Sequence, residues 1–222
     1  ATHPGPRHGS DTILNALLAR FPEMAALGRE RSFGLAHRLD LDTSGVLLAA
    51  RTVDAYENLA AAFADRRIDK RYIALVDASV ASPAPGTLRT AVDGKSSRTE
   101  VERVERFGPV AMLWMRLHTG RTHQIRIQLR DAGAPVLRDD RYGAGKTIIT
   151  ARLYLARLAL HAERVHLLHP RPGQPMEFQR ELPRDLRDAW RRARKAYGPD
   201  AGTDGIDDDD DASDPSDPQD DG

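Results

Sequence analysis

Hydrophobic residues recur at helical spacing in four stretches of this chain. Apolar positions three and four residues apart predict helices over residues 13–21, 53–63, 125–132 and 186–193. Ser10 or Asp11 is the predicted N-terminal cap of the first helix, and Thr52 is that of the second. Gly133 is a predicted C-terminal stop for the third, because glycine readily adopts the left-handed conformation that ends many helices.

Shorter apolar or alternating runs predict β-strands. They cover residues 46–50, 72–76, 87–92, 99–106 and 110–118. Residues 164–169 and 176–182 form a predicted hairpin, whereas residues 153–162 are apolar but too short to distinguish helix from strand. Because the strands come in consecutive groups without strict alternation with helices, we expect an α+β fold. Its sheet should be mixed and largely antiparallel, with flanking helices.

The composition is that of one core of ordinary size. The chain has 222 residues, 40% of them hydrophobic, and no cysteine, which excludes disulfides and thiol catalysis. It contains no apolar run of roughly 18 residues, the length that a membrane span needs, and no secretory signal. We therefore expect a cytoplasmic protein without a membrane partner.

The net charge of zero conceals an uneven distribution. All 33 basic residues lie at or before Lys195, whereas 11 of the 33 acidic residues are Asp within residues 200–222, so residues 1–199 carry a net charge of +11. A basic body suits a polyanion such as RNA. We expect one folded domain over residues 1–198 and a disordered acidic tail over residues 199–222.

Two familiar kinds of site are not supported. Gly143 to Thr147 resembles the end of a phosphate-binding loop, but the glycine expected three residues before Gly143 is Asp140. Five histidines in the second half lack a zinc-binding spacing, namely His118, His123, His161, His166 and His169. We therefore expect no metal and no cofactor.

The densest cluster of reactive side chains is residues 37–45, His-Arg-Leu-Asp-Leu-Asp-Thr-Ser-Gly. On an extended backbone Arg38 and Asp40 leave on the same face, because they are two residues apart. Asp40 and Asp42 are too close in sequence to flank a sugar from opposite sides, as a glycosidase requires. Taken alone, the segment also fits an ordinary polar turn before a strand.

The order of this nonapeptide resembles the signature of the RluA-type pseudouridine synthases. Four further stretches are similar to motifs of that family and occur in the same order as in the family. They are residues 2–5, 70–72, 120–126, and 157–162 with His169-Pro170. The second of these contains Lys70-Arg71-Tyr72, and the third is Gly-Arg-Thr-His-Gln-Ile-Arg. The resemblance covers nearly all of residues 2–190.

The resemblance implies a pseudouridine synthase catalytic fold that isomerises uridine in ribosomal or transfer RNA, without cofactor or metal. We also expect the protein to be a monomer. Asp40 would be the catalytic residue, with Arg121 as its ion-pair partner and Tyr72 stacked on a uracil flipped out of the RNA. Arg38 would fill the gap left in the RNA, Ile125 would form an apolar wall, and His37 would belong to the same binding region. Whether Asp40 attacks the sugar, attacks the base or abstracts a proton is left open.

The chain departs from the family at its start. We expect that a strand ending in Lys-Pro-x-Gly is missing before residues 2–5, and that the small N-terminal RNA-binding domain of many members is absent. Two other functions remain open at this point. One is a catalytically silent RNA-binding module of the same fold, and the other is a different carbohydrate-acting enzyme on a shared scaffold.

Overall fold

The computed structural model describes residues 1–4, 9–81, 83–169 and 173–199. Five α-helices are present in this part of the chain: α1 Ile13–Arg20, α2 Val53–Ala64, α3 Gln124–Asp131, α4 Ile148–Arg152 and α5 Arg184–Tyr197. Seven strands accompany them: β1 Ser44–Gly45, β2 Asp69–Asp77, β3 Gly86–Leu88, β4 Thr99–Phe107, β5 Val110–Leu117, β6 Leu160–Leu168 and β7 Pro175–Gln179. Two 3₁₀-helices, Pro22–Leu27 and Arg29–Gly34, fill the segment after α1.

All seven strands belong to one sheet of order β1-β6-β2-β5-β4-β3, with β7 also paired to β6. The β1–β6 pair is parallel and every other pair is antiparallel. The predicted α+β fold with a mixed, largely antiparallel sheet is therefore confirmed. The predicted hairpin is the β6–β7 pair, although residues 170–172 between its strands lie outside the described part.

The main core lies on the two central strands, β2 and β5. Leu75 and Leu113 are fully buried there, and Leu129 of α3 and Leu186 of α5 join the same cluster. Consecutive residues of both strands are buried, so both faces of the sheet are covered there. Each fully buried leucine contributes about 1.5–3 kcal/mol. The centre of the sheet is therefore a rigid support for residues at the strand ends.

The strand predicted over residues 46–50 is wrong. The strand is Ser44–Gly45, and the last hydrogen bond to the sheet is from the Val46 N–H to the Ala162 carbonyl, 2.9 Å. Beyond Ala162 the same edge of β6 pairs with β7, so no partner remains for residues 47–50. Gly45, at φ +122, lies so close to the Ala162 carbonyl that no side chain would fit.

Several other predicted ends of helices and strands differ from those in the structure. The predicted strand 87–92 is only Gly86–Leu88, and Val92 instead bridges Lys95 across a turn. Thr12, not Ser10 or Asp11, caps α1, whereas Thr52 caps α2 as predicted. Residues 153–162 hold a turn and the start of β6, after the five-residue α4 that the sequence pattern did not indicate.

The predicted stop of α3 is confirmed by its geometry. Gly133 has φ +75, and its N–H donates to the Arg130 carbonyl, 2.9 Å. The described fold continues to the end of α5, so the predicted acidic tail lies outside the described residues except for Pro199. Within the described ranges, no helix is long and apolar enough to cross a membrane.

Candidate active site

A cavity of about 420 Å³ opens where five segments of the chain meet. The loop of residues 36–43, the end of α2, the start of β2, the end of β5 and the start of α3 all line it. All six residues singled out from the sequence lie on its wall: His37, Arg38, Asp40, Tyr72, Arg121 and Ile125. The fold therefore brings together residues that are up to 88 positions apart in the chain.

The loop that carries Asp40 is held at several backbone positions. Thr2 donates its hydroxyl to the Leu39 carbonyl, 3.0 Å, and the Thr43 N–H donates to the Asp40 carbonyl, 3.1 Å. Asp42 takes a left-handed conformation, φ +64, which turns the chain towards β1. These contacts fix the direction in which Asp40 leaves the backbone.

His37 supports this loop from inside the protein. Its Nε2 accepts the Leu48 N–H at 2.8 Å, and its ring lies 4.6 Å from the ring of Phe63, centroid to centroid. Burial lowers the pKa of His37 to about 4, and the positive charge of Lys70 adds to this effect. His37 is thus neutral at physiological pH, as its role as hydrogen-bond acceptor requires.

The Asp40 carboxylate faces Arg126. Nη1 of Arg126 lies 3.3 Å from Oδ2 of Asp40, and the side chain of Asp40 is 18% exposed, so it stays accessible from the cavity. Nε and Nη2 of Arg126 donate to the two oxygens of Asp139 at 2.7 and 2.8 Å. One guanidinium therefore connects a cavity carboxylate to a buried one.

Asp139 is the buried anchor of this chain of charges. Its side chain has no exposed surface, and it also accepts the N–H groups of Arg141 and Tyr142 at 3.0 and 2.9 Å. Burial alone would raise the pKa of Asp139, but these bonds and Arg126 outweigh it and the pKa is lowered. The pKa of Arg126 is raised for the matching reason, because its hydrogen bonds to Asp139 exceed the opposing effect of burial.

The ion pair expected between Asp40 and Arg121 is not present in this structure. Arg121 lies on the turn before α3, where its backbone N–H donates to Oε1 of Gln124, 3.1 Å. Its Nε is buried and has no hydrogen-bond partner among the described residues. Because α3 begins only at Gln124, it is Arg126, inside the first turn, that is directed at Asp40.

His123 contacts the other oxygen of Asp40. It takes a left-handed conformation, φ +55, at the start of α3, and its Nε2 lies 3.8 Å from Asp40 Oδ1. Its Nδ1 pairs with the Tyr142 hydroxyl at 2.9 Å. Burial lowers the pKa of His123, and the negative charge of Asp40 opposes this only in part. At neutral pH the imidazole is therefore an uncharged neighbour of the carboxylate.

Tyr72 and Ile125 give the cavity its apolar walls. Burial, with a further contribution from the Asp40 charge, raises the pKa of Tyr72 well above its usual value. Its phenol is therefore protonated throughout the physiological range. Ile125 is 4% exposed and packs into the main core, whereas Arg38 is exposed at the rim.

A buried polar network behind the cavity fixes the turn that carries Arg121. Gln124 accepts the Thr119 hydroxyl at 2.7 Å and donates to Oγ1 of Thr99 at 3.0 Å. Gln128 accepts from the same Thr99, at 2.6 Å. Buried polar groups need such partners, since an unpaired one costs about 1–3 kcal/mol.

The sequence motif of residues 120–126 contained Arg126 and His123 but did not show which of its side chains reach Asp40. Asp139 gave no sequence signal, because it lies outside every predicted helix and strand. The described residues contain no group of His, Asp or Glu that could hold a metal ion. The arrangement offers one accessible carboxylate held by an arginine, with a neutral imidazole and a neutral phenol nearby. Such a site can perform nucleophilic or general-base chemistry on a molecule that enters the cavity.

Comparison with known proteins gave consistent matches. A family described as RNA pseudouridylate synthase matches residues 19–131. An uncharacterized RNA pseudouridine synthase of Chloroflexus aurantiacus is 42% identical over 196 residues, covering 83% of this chain and 60% of that protein. A ribosomal large subunit pseudouridine synthase D of Xanthomonas campestris is 36% identical over 204 residues, covering 83% and 61%. The chain thus spans about three fifths of the length of these curated relatives.

Solved structures show the same fold. Human RNA Pseudouridylate Synthase Domain Containing 4 superposes with a TM-score of 0.63 at 22% sequence identity, covering 85% of this chain and 86% of that one. Human RNA Pseudouridylate Synthase Domain Containing 1 gives a TM-score of 0.56 at 26% identity, covering 77% and 74%.

Proposed function

Since this chain belongs to the RNA pseudouridylate synthase family, we propose that it isomerises uridine to pseudouridine in RNA, with Asp40 as the catalytic residue. The observation that carries the proposal is the position of Asp40. Its carboxylate is accessible from a cavity of about 420 Å³ and is held by Arg126 at 3.3 Å. A pocket of this size accommodates a nucleoside.

The reaction requires one bond to be exchanged for another within the same nucleotide. The bond from uracil N1 to ribose C1′ breaks, the uracil turns, and a bond from its C5 to C1′ forms. N1 gains a proton and C5 loses one, so the product is an isomer and no electrons are transferred to another molecule. Asp40 acts either as a nucleophile at the sugar or base, or as the base that removes a proton.

Arg126 has the role that the sequence resemblance gave to Arg121. A guanidinium held rigidly by Asp139 orients the Asp40 carboxylate through the contact between Nη1 and Oδ2. Arg121 lines the same cavity and has no ion-pair partner in the described part of the chain, so we assign it to the binding of the substrate. His37 acts through the loop, because its ring nitrogen is already occupied by Leu48.

The target base must leave the stack of the RNA to reach Asp40. In the proposed complex the uracil lies against the ring of Tyr72, with Ile125 as the opposite apolar wall, and exposed Arg38 contacts the RNA at the rim. The neutral phenol of Tyr72 can donate a hydrogen bond, and its raised pKa makes loss of its proton less favourable. Several relatives are named for the large ribosomal subunit, so we propose its RNA as the substrate, with transfer RNA as the alternative.

The direct test is pseudouridine formation by the purified protein. Transcribed large-subunit ribosomal RNA and a transfer RNA pool are incubated with the chain, and pseudouridine is quantified by mass spectrometry and located by chemical labelling with reverse transcription. The proposal predicts new pseudouridine at a defined site. RNA binding without any pseudouridine in either pool would favour the silent RNA-binding module instead.

A further inference from the structure

A second cavity of about 590 Å³, which we call the arginine groove, adjoins the active-site cavity. The two share four lining residues: Arg66, Leu117, His118 and Thr119. From this common rim the groove continues along the start of β2 to the loop between β3 and β4. The active-site cavity and the groove therefore lie side by side.

The groove is strongly basic. Five arginines and two histidines line it against the single carboxylate of Asp69: Arg66, Arg67, Arg89, Arg98, Arg116, His118 and His166. Part of this charge is neutralised, since Arg116 pairs with Asp69 at 2.9 Å and Arg98 approaches Glu100 at 3.7 Å. Arg66 and Arg89 form no ion pair with any other described residue, and both are exposed. The groove thus carries positive charge that no described carboxylate neutralises.

The outer wall of the groove, residues 89–98, is fixed in advance. The Ser97 hydroxyl donates to the Thr90 carbonyl at 2.5 Å, and Nε2 of buried Gln128 donates to the same carbonyl at 3.2 Å. The backbone N–H of Arg98 donates to Oγ1 of Thr119, 2.9 Å, which ties this wall to the shared rim. A wall held in this way presents Arg89 and Arg98 without a cost in loop ordering on binding.

We propose that the arginine groove binds the sugar–phosphate backbone of the RNA strand that flanks the target uridine. The proposal rests on the proposed function, because a strand that delivers one base to Asp40 must leave the cavity along the surface. Guanidinium groups bind phosphate oxygens with paired hydrogen bonds. None of the described lining residues is Phe, Tyr or Trp, so the groove recognises backbone charge and does not stack bases.

The test compares two pairs of substitutions that remove the same charge. Arg89→Ala with Arg98→Ala alters the groove only, since neither residue lines the active-site cavity. Arg29→Ala with Arg194→Ala removes two exposed arginines that line neither cavity and form no ion pair within the described residues. Affinity is measured by fluorescence anisotropy between low and moderate salt. The probes are a labelled 21-nucleotide single-stranded RNA with one central uridine and a five-nucleotide RNA centred on the same uridine.

The groove pair should weaken binding of the 21-nucleotide RNA about tenfold and lower its salt slope by about 1.4, the value for two lost contacts with single-stranded RNA. It should leave the five-nucleotide RNA unchanged, and the control pair should leave both slopes unchanged. Arg89→Lys with Arg98→Lys should retain the wild-type slope, because the charge remains.

Equal losses for the groove and control pairs would overturn the proposal, because net charge alone would then explain them. Equal losses for the long and short RNA would also overturn it. These measurements need no turnover, so they separate the two proposals. If the slopes change as expected but no RNA is isomerised, the groove stands and the proposed function fails. If pseudouridine forms while the slopes do not differ, the reverse holds.

Discussion

Arg126 donates from Nη1 to the Asp40 carboxylate at 3.3 Å while its other two nitrogens are bound elsewhere. Those nitrogens, Nε and Nη2, are held by Asp139 at 2.7 and 2.8 Å. The guanidinium therefore cannot rotate away from Asp40 without breaking a buried ion pair. This connection explains how a carboxylate at the wall of an open cavity keeps one orientation.

Substitution of Arg126 tests this geometry. Arg126→Lys keeps the charge but loses the fork that contacts both carboxylates at once. We expect a loss of about 100-fold in the single-turnover rate, comparable to the removal of one preorganised donor, with a modest loss of RNA affinity. Arg130→Lys, one turn later on α3 at an exposed position, is the control. A rate for Arg126→Lys equal to that of the control would show that Arg126 does not orient Asp40.

Asp139→Asn tests the buried anchor. Removing one partner of a buried ion pair should lower the free energy of unfolding by about 3 kcal/mol and the single-turnover rate about tenfold. Because the pKa of Asp139 is lowered in the folded state, its contribution to stability is complete above pH 3.8 and is lost as the pH falls further. Urea unfolding at several pH values measures this.

The neighbouring Asp140→Asn is the matched control, because the side chain of Asp140 is 76% exposed and its ion-pair partner among the described residues is Arg138. It should change neither stability nor rate. If both variants had the same stability at pH 7, the Asp139–Arg126 pair would not contribute to stability in the way that its burial indicates.

The lowered pKa of His37 predicts a second effect of pH on the free energy of unfolding, in the range where histidine titrates. Its pKa is lowered to about 4 in the folded protein, so the unfolded chain takes up a proton there between pH 6.5 and 4 while the folded chain does not. The free energy of unfolding should therefore fall by about 3 kcal/mol across this interval from this group alone. His37→Gln should flatten the dependence, and His166→Gln, at an exposed position, should not. Parallel pH curves for all three proteins would refute this assignment.

The acidic residues beyond Pro199 predict an effect on RNA affinity. We expect the eleven Asp in residues 200–222 to compete with RNA for the basic body, so removal of these residues should tighten binding to non-cognate RNA at low salt. At high salt the difference should disappear, because screening weakens the attraction between tail and body. A salt titration of the full chain and of residues 1–199 measures this. Coincident curves at every salt concentration would mean that these residues have no such role.

The strands of the sheet and the polar segment that carries Asp40 could be predicted from the sequence, because both depend on local patterns. Alternating and apolar runs define β2, β4 and β5, and the motif around Asp40 is contiguous. Prediction from the sequence failed where the structure depends on contacts between distant segments. Residues 46–50 have the composition of a strand, but β7 occupies the edge of β6 that they would need.

The ion-pair partner of Asp40 in this structure differs from the predicted Arg121 for a similar reason. Arg121 and Arg126 belong to the same seven-residue motif, and only the start of α3 between them decides which one faces Asp40. The helix begins directly after His123, which takes a left-handed conformation. No residue type in the motif predicts that conformation. Asp139 was not predicted, because a buried ion pair between a helix and an irregular segment has no sequence periodicity.

The Asp40 carboxylate is the group that we propose performs the chemistry. Asp40→Asn retains the shape and loses the charge, and Asp42→Asn in the same loop is the matched control, since asparagine tolerates the left-handed conformation, φ +64, of that position. The decisive measurement is pseudouridine formed by each purified variant in a single turnover on RNA that the wild-type protein modifies. We predict no detectable product from Asp40→Asn, with RNA binding retained, and a near wild-type rate from Asp42→Asn. A wild-type rate from Asp40→Asn would contradict the account.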